Sequence, residues 1–149
     1  VREQILAVLG TPLSFTQESI KLTGHAIEAR ITAQDSDNHL QPSPGRVTKW
    51  RPPASGALRL DSHIFEGYLF PPYYDALMGK LIAWGADRSA AIAALLSGLE
   101  RFAIEGPKTS VALLKRILGT TEFAHNTVTT GWLTDYLEGE HVNGKHPTR

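Results

Sequence analysis

ALMGKLIAWG, residues 76–85, is apolar apart from Lys80 and fits a β-strand. Successive side chains of a strand point to opposite faces, and here both faces carry apolar groups. One face has Leu77, Leu81 and Ala83, and the other has Met78, Ile82 and Trp84. Because both faces are apolar, the stretch predicts a strand deep in a sheet.

Two other stretches alternate as half-buried strands do. In GHAIEARITA (24–33), His25 and every second residue after it face one way, whereas Glu28 and Arg30 lie on a polar face. VTKW (47–50) is a shorter strand between loops rich in Asp, Ser, Pro and Gly. The first half of the chain therefore predicts strands and turns.

ALRLDSHI (57–64) also alternates, but its polar side is unusual. Its apolar side holds Leu58, Leu60 and Ile64, interrupted only by Ser62. Its other side holds Arg59, Asp61 and His63 in one row. A cation, an anion and an imidazole on one face can be an ordinary wetted surface or part of a working site.

The rest of the chain has the period of helices. Asp87 is a good N-cap for a helix over about 88–103, which the EGPK segment ends. A second helix runs from Thr109 or Ser110 to Leu118, and a third covers about 129–138. Residues 1–9 form another helical segment, closed by Gly10 and Pro12.

Strands that precede helices favour an α+β domain with a mostly antiparallel sheet, flanked here by the helices of 88–118. We expect one domain over residues 1–138 and a flexible polar tail over 139–149. The chain begins at Val1, inside a helical pattern, so we also expect further polypeptide before it.

Composition excludes several classes of protein. Fifteen basic and fifteen acidic residues balance and form no run of one sign, which argues against nucleic-acid and membrane-surface binding. No apolar run reaches the roughly 18 residues of a membrane span. The absence of cysteine removes disulfides and thiolate metal sites, so the cytoplasm is the expected location.

Three kinds of catalytic site are also disfavoured. The six histidines never stand three or four residues apart, so we expect no metal site. Ser62 lies between Asp61 and His63, but a strand directs those neighbours to the opposite face, away from its hydroxyl. The glycines form no phosphate-binding motif.

Arg59 therefore becomes the leading candidate, because a guanidinium binds carboxylates, bicarbonate or a developing oxyanion. The alternative is a solvent-facing strand on which Arg59 and Asp61 pair weakly. Two acidic residues have similar alternatives. Asp75, after PPYY, lies in an ordered corner or holds an arginine in place, and Glu105 is a solvated helix end or part of a site.

Five segments stand in order along the chain: GHAIEARITAQD, PSPGRVTKWRPP, LRLDSHIFEGY, PPYYDALMGKLIAWG and IEGPKTSVALLKRIL. Together they resemble the C-terminal domain of biotin carboxylase, the module shared by acetyl-CoA, propionyl-CoA, pyruvate and related carboxylases. The resemblance extends from Val1 to about Leu137.

The resemblance implies an α+β fold of the rudimentary hybrid-motif, or barrel-sandwich, type. It implies a ligase that forms a C–N bond: MgATP activates bicarbonate as carboxyphosphate, and the ureido nitrogen of carrier-bound biotin is then carboxylated. ATP and Mg²⁺ or Mn²⁺ would be held mainly by a preceding ATP-grasp domain. The chain alone should therefore be catalytically incomplete.

The resemblance also assigns residues. Arg59, in the motif R-x-x-S-H, resembles the arginine that contacts bicarbonate and the ureido oxygen of biotin. Asp61 and His63 would set its surroundings, and Glu105 would orient it. Trp84 and Arg88 fall in a region that resembles the homodimer contact of the bacterial enzyme.

The implied partners are a biotin carboxyl carrier protein or domain, a carboxyltransferase and a second copy of the parent enzyme. The carboxyltransferase would choose the acceptor, which is acetyl-CoA, propionyl-CoA, another acyl-CoA, pyruvate or urea. A competing hypothesis is a non-catalytic docking or dimerisation module. A third is an α+β domain related by descent that lacks the site.

Overall fold

A computed structural model describes residues 1–54 and 56–142. Its helices are α1 (Arg2–Val8), α2 (Arg88–Arg101), α3 (Val111–Leu118), α4 (Thr121–Ala124) and α5 (Trp132–Val142), with a 3₁₀ turn at Gln17–Ser19. Its strands are β1 (His25–Thr32), β2 (Gln34–Asp35), β3 (Gln41–Pro42), β4 (Gly45–Arg46), β5 (Lys49–Arg51), β6 (Leu58–Ser62), β7 (Leu69–Phe70), β8 (Leu77–Gly85) and β9 (Ala103–Glu105).

The largest sheet has three strands in the order β1–β8–β6, with β8 at its centre. Ala29 and Leu60 both pair with Leu81 of β8, from opposite sides. The remaining strands of the described residues form the two-stranded sheets β2–β3, β4–β7 and β5–β9. All these pairings are antiparallel, which confirms the predicted α+β class and the central position of 77–85.

The core lies between the three-stranded sheet and α2. Leu81 of β8 is 1% exposed, as are Leu95 and Leu99 of α2. Gly98 allows the helix to approach closely, since a Cβ there would lie 2.9 Å from a methyl carbon of Leu58. The helix therefore covers one face of the sheet and buries the apolar side of its strands.

Helix α2 begins where the sequence predicts but ends earlier. Asp87 is its N-cap, and its carboxylate accepts a hydrogen bond of 2.8 Å from the amide of Ala90. The predicted end at residue 103 is wrong, because Ala103–Glu105 pair with Lys49–Arg51 as strand β9. The chain thus leaves the helix directly into a sheet.

Ser110 joins the following helix to the central sheet. It occupies the N-cap position of α3, but its hydroxyl does not cap that helix. The hydroxyl instead accepts from the amide of Thr32 at 3.0 Å and donates to the carbonyl of Arg30 at 3.3 Å. This buried side chain thereby attaches α3 to β1.

The second face of β8 is buried at Met78 but is otherwise more exposed than its sequence predicts. Ile82 is half-buried and Trp84 is 53% exposed, because α2 packs on the other face only. The PPYYD corner also differs from one interpretation of it, since Tyr73 and Tyr74 are exposed rather than packed into the core.

The C-terminal helix begins later and ends later than the predicted 129–138. Helix α5 extends through residues 139–142, the first part of the predicted tail at 139–149, and the remainder of that tail lies outside the described residues. No helix within 1–54 and 56–142 has the length and hydropathy needed to cross a membrane.

Gly106, which follows β9, should be intolerant of a side chain. Its φ is +113°, and an added Cβ would collide with the carbonyl oxygen of Arg46. We expect Gly106→Ala to lower the free energy of unfolding by about 2 kcal/mol or more, as forced backbone strain does. Urea denaturation followed by circular dichroism measures this change.

Gly119→Ala is the matched control, because Gly119 has an ordinary helical φ of −85° and an added Cβ would meet only normal contacts. The urea concentration at the midpoint of its unfolding should stay much closer to that of the wild type. Equal midpoints for the two variants would contradict a special backbone requirement at Gly106.

Candidate functional site

The face of the three-stranded sheet opposite α2 is open and carries charged side chains. We call the following five residues the charged face: Glu28, Arg30, Arg59, Asp61 and Lys80. The strand register brings them together in two rows. Glu28 and Arg59 flank Ile82, and Arg30 and Asp61 flank Lys80.

Arg59 and Asp61 form a bidentate ion pair on this face. The Nε and Nη2 atoms of Arg59 each donate to one carboxylate oxygen of Asp61, both at 2.9 Å. The two side chains are 73% and 44% exposed. The hydrogen bonds to Asp61, and the charge of its carboxylate, raise the pKa of Arg59 further, so the guanidinium is positively charged at every relevant pH.

Glu105 lies in a different sheet from Arg59. It is the last residue of β9, and its carboxylate accepts a hydrogen bond of 2.7 Å from Nζ of Lys49 across the strand pair. Among the described residues, the structure thus pairs Glu105 with Lys49 and Arg59 with Asp61. The predicted orienting role of Glu105 has no counterpart in these contacts.

An open cleft of about 310 Å³ begins where the row of Arg59, Asp61 and His63 ends. His63 lines the cleft and packs edge-to-face against Tyr68, with ring centroids 5.3 Å apart. Asp75 lines it too, and its Oδ2 atom lies 3.8 Å from Nη2 of Arg30. The carboxylate of the PPYYD corner therefore pairs with Arg30 of the charged face, and Arg59 pairs with Asp61.

The two predicted dimer-contact residues differ in accessibility. Trp84 is 53% exposed, and its indole nitrogen donates to the carbonyl of Thr23 at 3.1 Å. Arg88 is half-buried and acts within the chain. It donates to the carbonyl of Phe123 at 2.6 Å and lies over the ring of that residue, 4.8 Å from its centroid.

No group of three histidine or acidic side chains within residues 1–54 and 56–142 is arranged to hold a metal ion. The charged face offers a guanidinium for electrostatic interactions. A guanidinium that is held in place and open to solvent can bind an anion or stabilise charge that develops on an oxygen atom.

The family model described as "Biotin carboxylase C-terminal domain" matches residues 28–135. The chain belongs to this family. The match includes the three strands of the central sheet from Glu28 onward, helices α2 to α4 and both members of the Arg59–Asp61 pair.

Relatives of this family are similar over most of the chain. A biotin carboxylase of Nostoc sp. is 41% identical over 89% of the chain and 30% of its own length. A pyruvate carboxylase component of Methanothermobacter thermautotrophicus is 37% identical over 93% of the chain and 28% of its own length. The chain therefore spans less than a third of these curated relatives.

A solved structure supports the same assignment. The biotin carboxylase domain dimer of Hydrogenobacter thermophilus 2-oxoglutarate carboxylase, in complex with MgADP and bicarbonate, is 34% identical. It matches with a TM-score of 0.86 over 89% of the chain and 29% of its own chain. The fold of this biotin carboxylase C-terminal domain is therefore the family fold, as the resemblance implied.

Two structural residues of this biotin carboxylase domain were not found from the sequence. The cross-strand partner of Glu105, Lys49, is 56 residues away, and nothing local marks the pair. Ser110 is suggested only as a helix cap, whereas its hydroxyl joins two distant segments. The positive φ of Gly106 was indicated by the sequence, because a glycine that follows a helix or turn commonly adopts a positive φ.

The Arg59–Asp61 pair should contribute little to stability, because exposed ion pairs are screened by water. We expect Arg59→Ala to unfold at a urea concentration close to that of the wild type. In contrast, Ser110→Ala should cost about 1–2 kcal/mol, since it leaves the part-buried amide of Thr32 without its partner. Urea denaturation of both variants checks this difference.

An Arg59→Ala midpoint as low as that of Ser110→Ala would contradict this expectation. It would indicate that Arg59 supports the fold rather than a binding site.

Proposed function

We propose that this chain acts as the C-terminal part of a biotin carboxylase and supplies Arg59 to the active site. In this proposal Arg59 binds bicarbonate and stabilises the ureido oxygen of biotin. One observation carries the proposal. The R-x-x-S-H arginine lies on an open sheet face, and a carboxylate two residues later fixes its guanidinium.

The chemistry suits a guanidinium. Removal of the ureido proton of biotin places negative charge on the ureido oxygen, and a preorganised cation lowers the energy of that anion. The same planar group binds bicarbonate through paired hydrogen bonds, which an ammonium cannot reproduce. Both interactions strengthen when the remaining part of the enzyme excludes water from the face.

We assign the other substrates to other parts of the assembly. MgATP would be bound mainly by an ATP-grasp portion of the enzyme, and biotin would arrive on a carrier protein or domain. A carboxyltransferase would then pass the carboxyl group to its acceptor. The solved Hydrogenobacter thermophilus relative is a complex with MgADP and bicarbonate, which supports a nucleotide and bicarbonate as ligands of the parent enzyme.

The exposed apolar residues at the start of the chain fit the same proposal. Helix α1 buries none of its residues, and Val1, Val8 and Leu22 are each at least 88% exposed. Such a surface is favourable when other protein covers it. The curated relatives are long enough to provide that cover, since the chain spans at most 30% of those cited above.

Replacement of Arg59 tests the proposal in a complete biotin carboxylase, made by joining residues 1–149 to the remaining part of the Nostoc relative. We expect Arg59→Ala to reduce turnover about 10²- to 10³-fold, the usual effect of removing an oxyanion-stabilising donor. Arg59→Lys should also be impaired, because lysine keeps the charge but loses the planar fork. Phosphate release with MgATP, bicarbonate and free biotin measures turnover.

Arg51→Ala is the matched control, because Arg51 is 67% exposed and also forms an ion pair with a carboxylate, that of Glu66. It should retain turnover. A folded enzyme in which Arg59→Ala and Arg51→Ala perform equally would contradict the proposal, and it would favour the hypothesis of a docking or dimerisation module.

We also propose that the parent enzyme is a homodimer and that Trp84 contributes to the contact. Its exposed indole on the edge of the charged face supports this, because aromatic side chains are favoured at protein interfaces. We expect Trp84→Glu to shift the complete enzyme towards monomer in analytical ultracentrifugation.

Tyr73→Glu is the control for this experiment, since Tyr73 is another exposed aromatic residue, in the PPYYD corner. This variant should sediment as the wild type does. If Trp84→Glu also leaves the dimer intact, Trp84 does not belong to the contact.

A further inference from the structure

In the Arg59–Asp61 pair, the two hydrogen-bonding edges of the guanidinium are available to different partners. An arginine offers two edges to an anion: the side edge, formed by Nε and Nη2, and the end edge, formed by Nη1 and Nη2. Asp61 accepts from Nε and Nη2 and therefore occupies the side edge. The end edge points away from this contact.

We propose that Asp61 is a positioning residue that holds the side edge of Arg59 so that the end edge receives the oxyanion of the substrate. This inference rests on the proposed function of Arg59. It adds a second residue and assigns each edge of the guanidinium to one partner.

The sheet favours this arrangement over other pairings. Residues 59 and 61 are two positions apart in β6, so both side chains project from the same face of one rigid strand. Glu28 shares the face, but β8 separates it from Arg59. Two strand spacings, about 10 Å, lie between their backbones.

The surroundings of the pair also favour a fixed guanidinium. Ile82 lies opposite Arg59 on β8 and is half-buried, so it provides an apolar surface beneath the arginine stem. Lys80 lies opposite Asp61 in the register, and the Asp61 carboxylate pairs with Arg59.

A bidentate pair in water adds little stability, so selection for folding does not explain it. Its consequence is geometric. The guanidinium plane is fixed before the substrate arrives, so binding does not have to immobilise a long flexible side chain. A small displacement of a catalytic group can reduce the rate about 100-fold, which gives positioning a large effect on turnover.

The test compares Asp61→Asn, Asp61→Glu and Glu66→Gln in the complete enzyme described above. Asparagine has the size of aspartate but offers only one acceptor oxygen, so the side edge loses its bidentate partner. We expect kcat/KM for bicarbonate to fall about 10- to 100-fold. Asp61→Glu keeps the carboxylate and should recover most of this loss.

Glu66→Gln removes one carboxylate from an ion pair of similar exposure, 67% and 42%, and should leave kcat/KM unchanged. A double-mutant cycle then shows whether Asp61 acts through Arg59. In the Arg59→Lys background the side edge is absent, so adding Asp61→Asn should have an effect of less than about threefold.

The outcomes separate the two proposals. If Arg59→Ala loses turnover as expected but Asp61→Asn behaves as Glu66→Gln does, the positioning role is wrong and the function of Arg59 stands. The same conclusion follows if Asp61→Asn causes its full loss in the Arg59→Lys background. If Arg59→Ala has no effect, the proposed function is wrong and the role of Asp61 is overturned with it.

Discussion

Hydrogen bonding of β8 to strands on both sides is the constraint on which the rest of the structure depends. β1 and β6 are far apart in the sequence and do not pair with each other, so β8 alone sets their relative register. Leu81 is buried at the centre of this arrangement, where a Cβ at Gly98 of α2 would lie 3.3 Å from one of its methyl carbons. Because a strand directs alternate residues to opposite faces, burying Leu81 also directs Lys80 and Ile82 to the open face.

The position of Arg59 follows from this constraint. Its backbone pairs with Ile82, so a shift of β6 by one residue would send the guanidinium into the apolar core. Leu58 and Leu60 oppose such a shift, since both pack against the core on the other side of β6. The apolar residues of the strand therefore place its charged residues, and stability and site geometry are linked through one register.

Local alternation predicted the side-chain faces of β1 and β6 correctly, because this property depends only on neighbouring residues. It also predicted that 77–85 is central, but it predicted burial on both faces. The hydrophobicity of Ile82 and Trp84 does not reveal whether helices of the same chain cover them. Strand β9 was missed for another reason. Three residues that follow a helix carry little pattern, and their partner strand is more than 50 residues away.

Ser62 and His63 complete the motif R-x-x-S-H, and the structure gives each a role that sequence spacing could not reveal. The hydroxyl of Ser62 donates to the carbonyl of Met78 at 2.6 Å and accepts from the amide of Ile64 at 3.0 Å. These bonds fix the end of β6 immediately after Asp61. Gly79 permits this close pairing, because any side chain there would crowd Ser62.

His63 then leaves the strand and packs against Tyr68, at the edge of the open cleft. The serine and the histidine therefore anchor the strand that carries the ion pair, and neither needs a chemical role. A loop could present an arginine as well, but it would not hold the residue two positions later on the same face. A strand does so by its geometry, and this explains why the arginine and its carboxylate lie on β6.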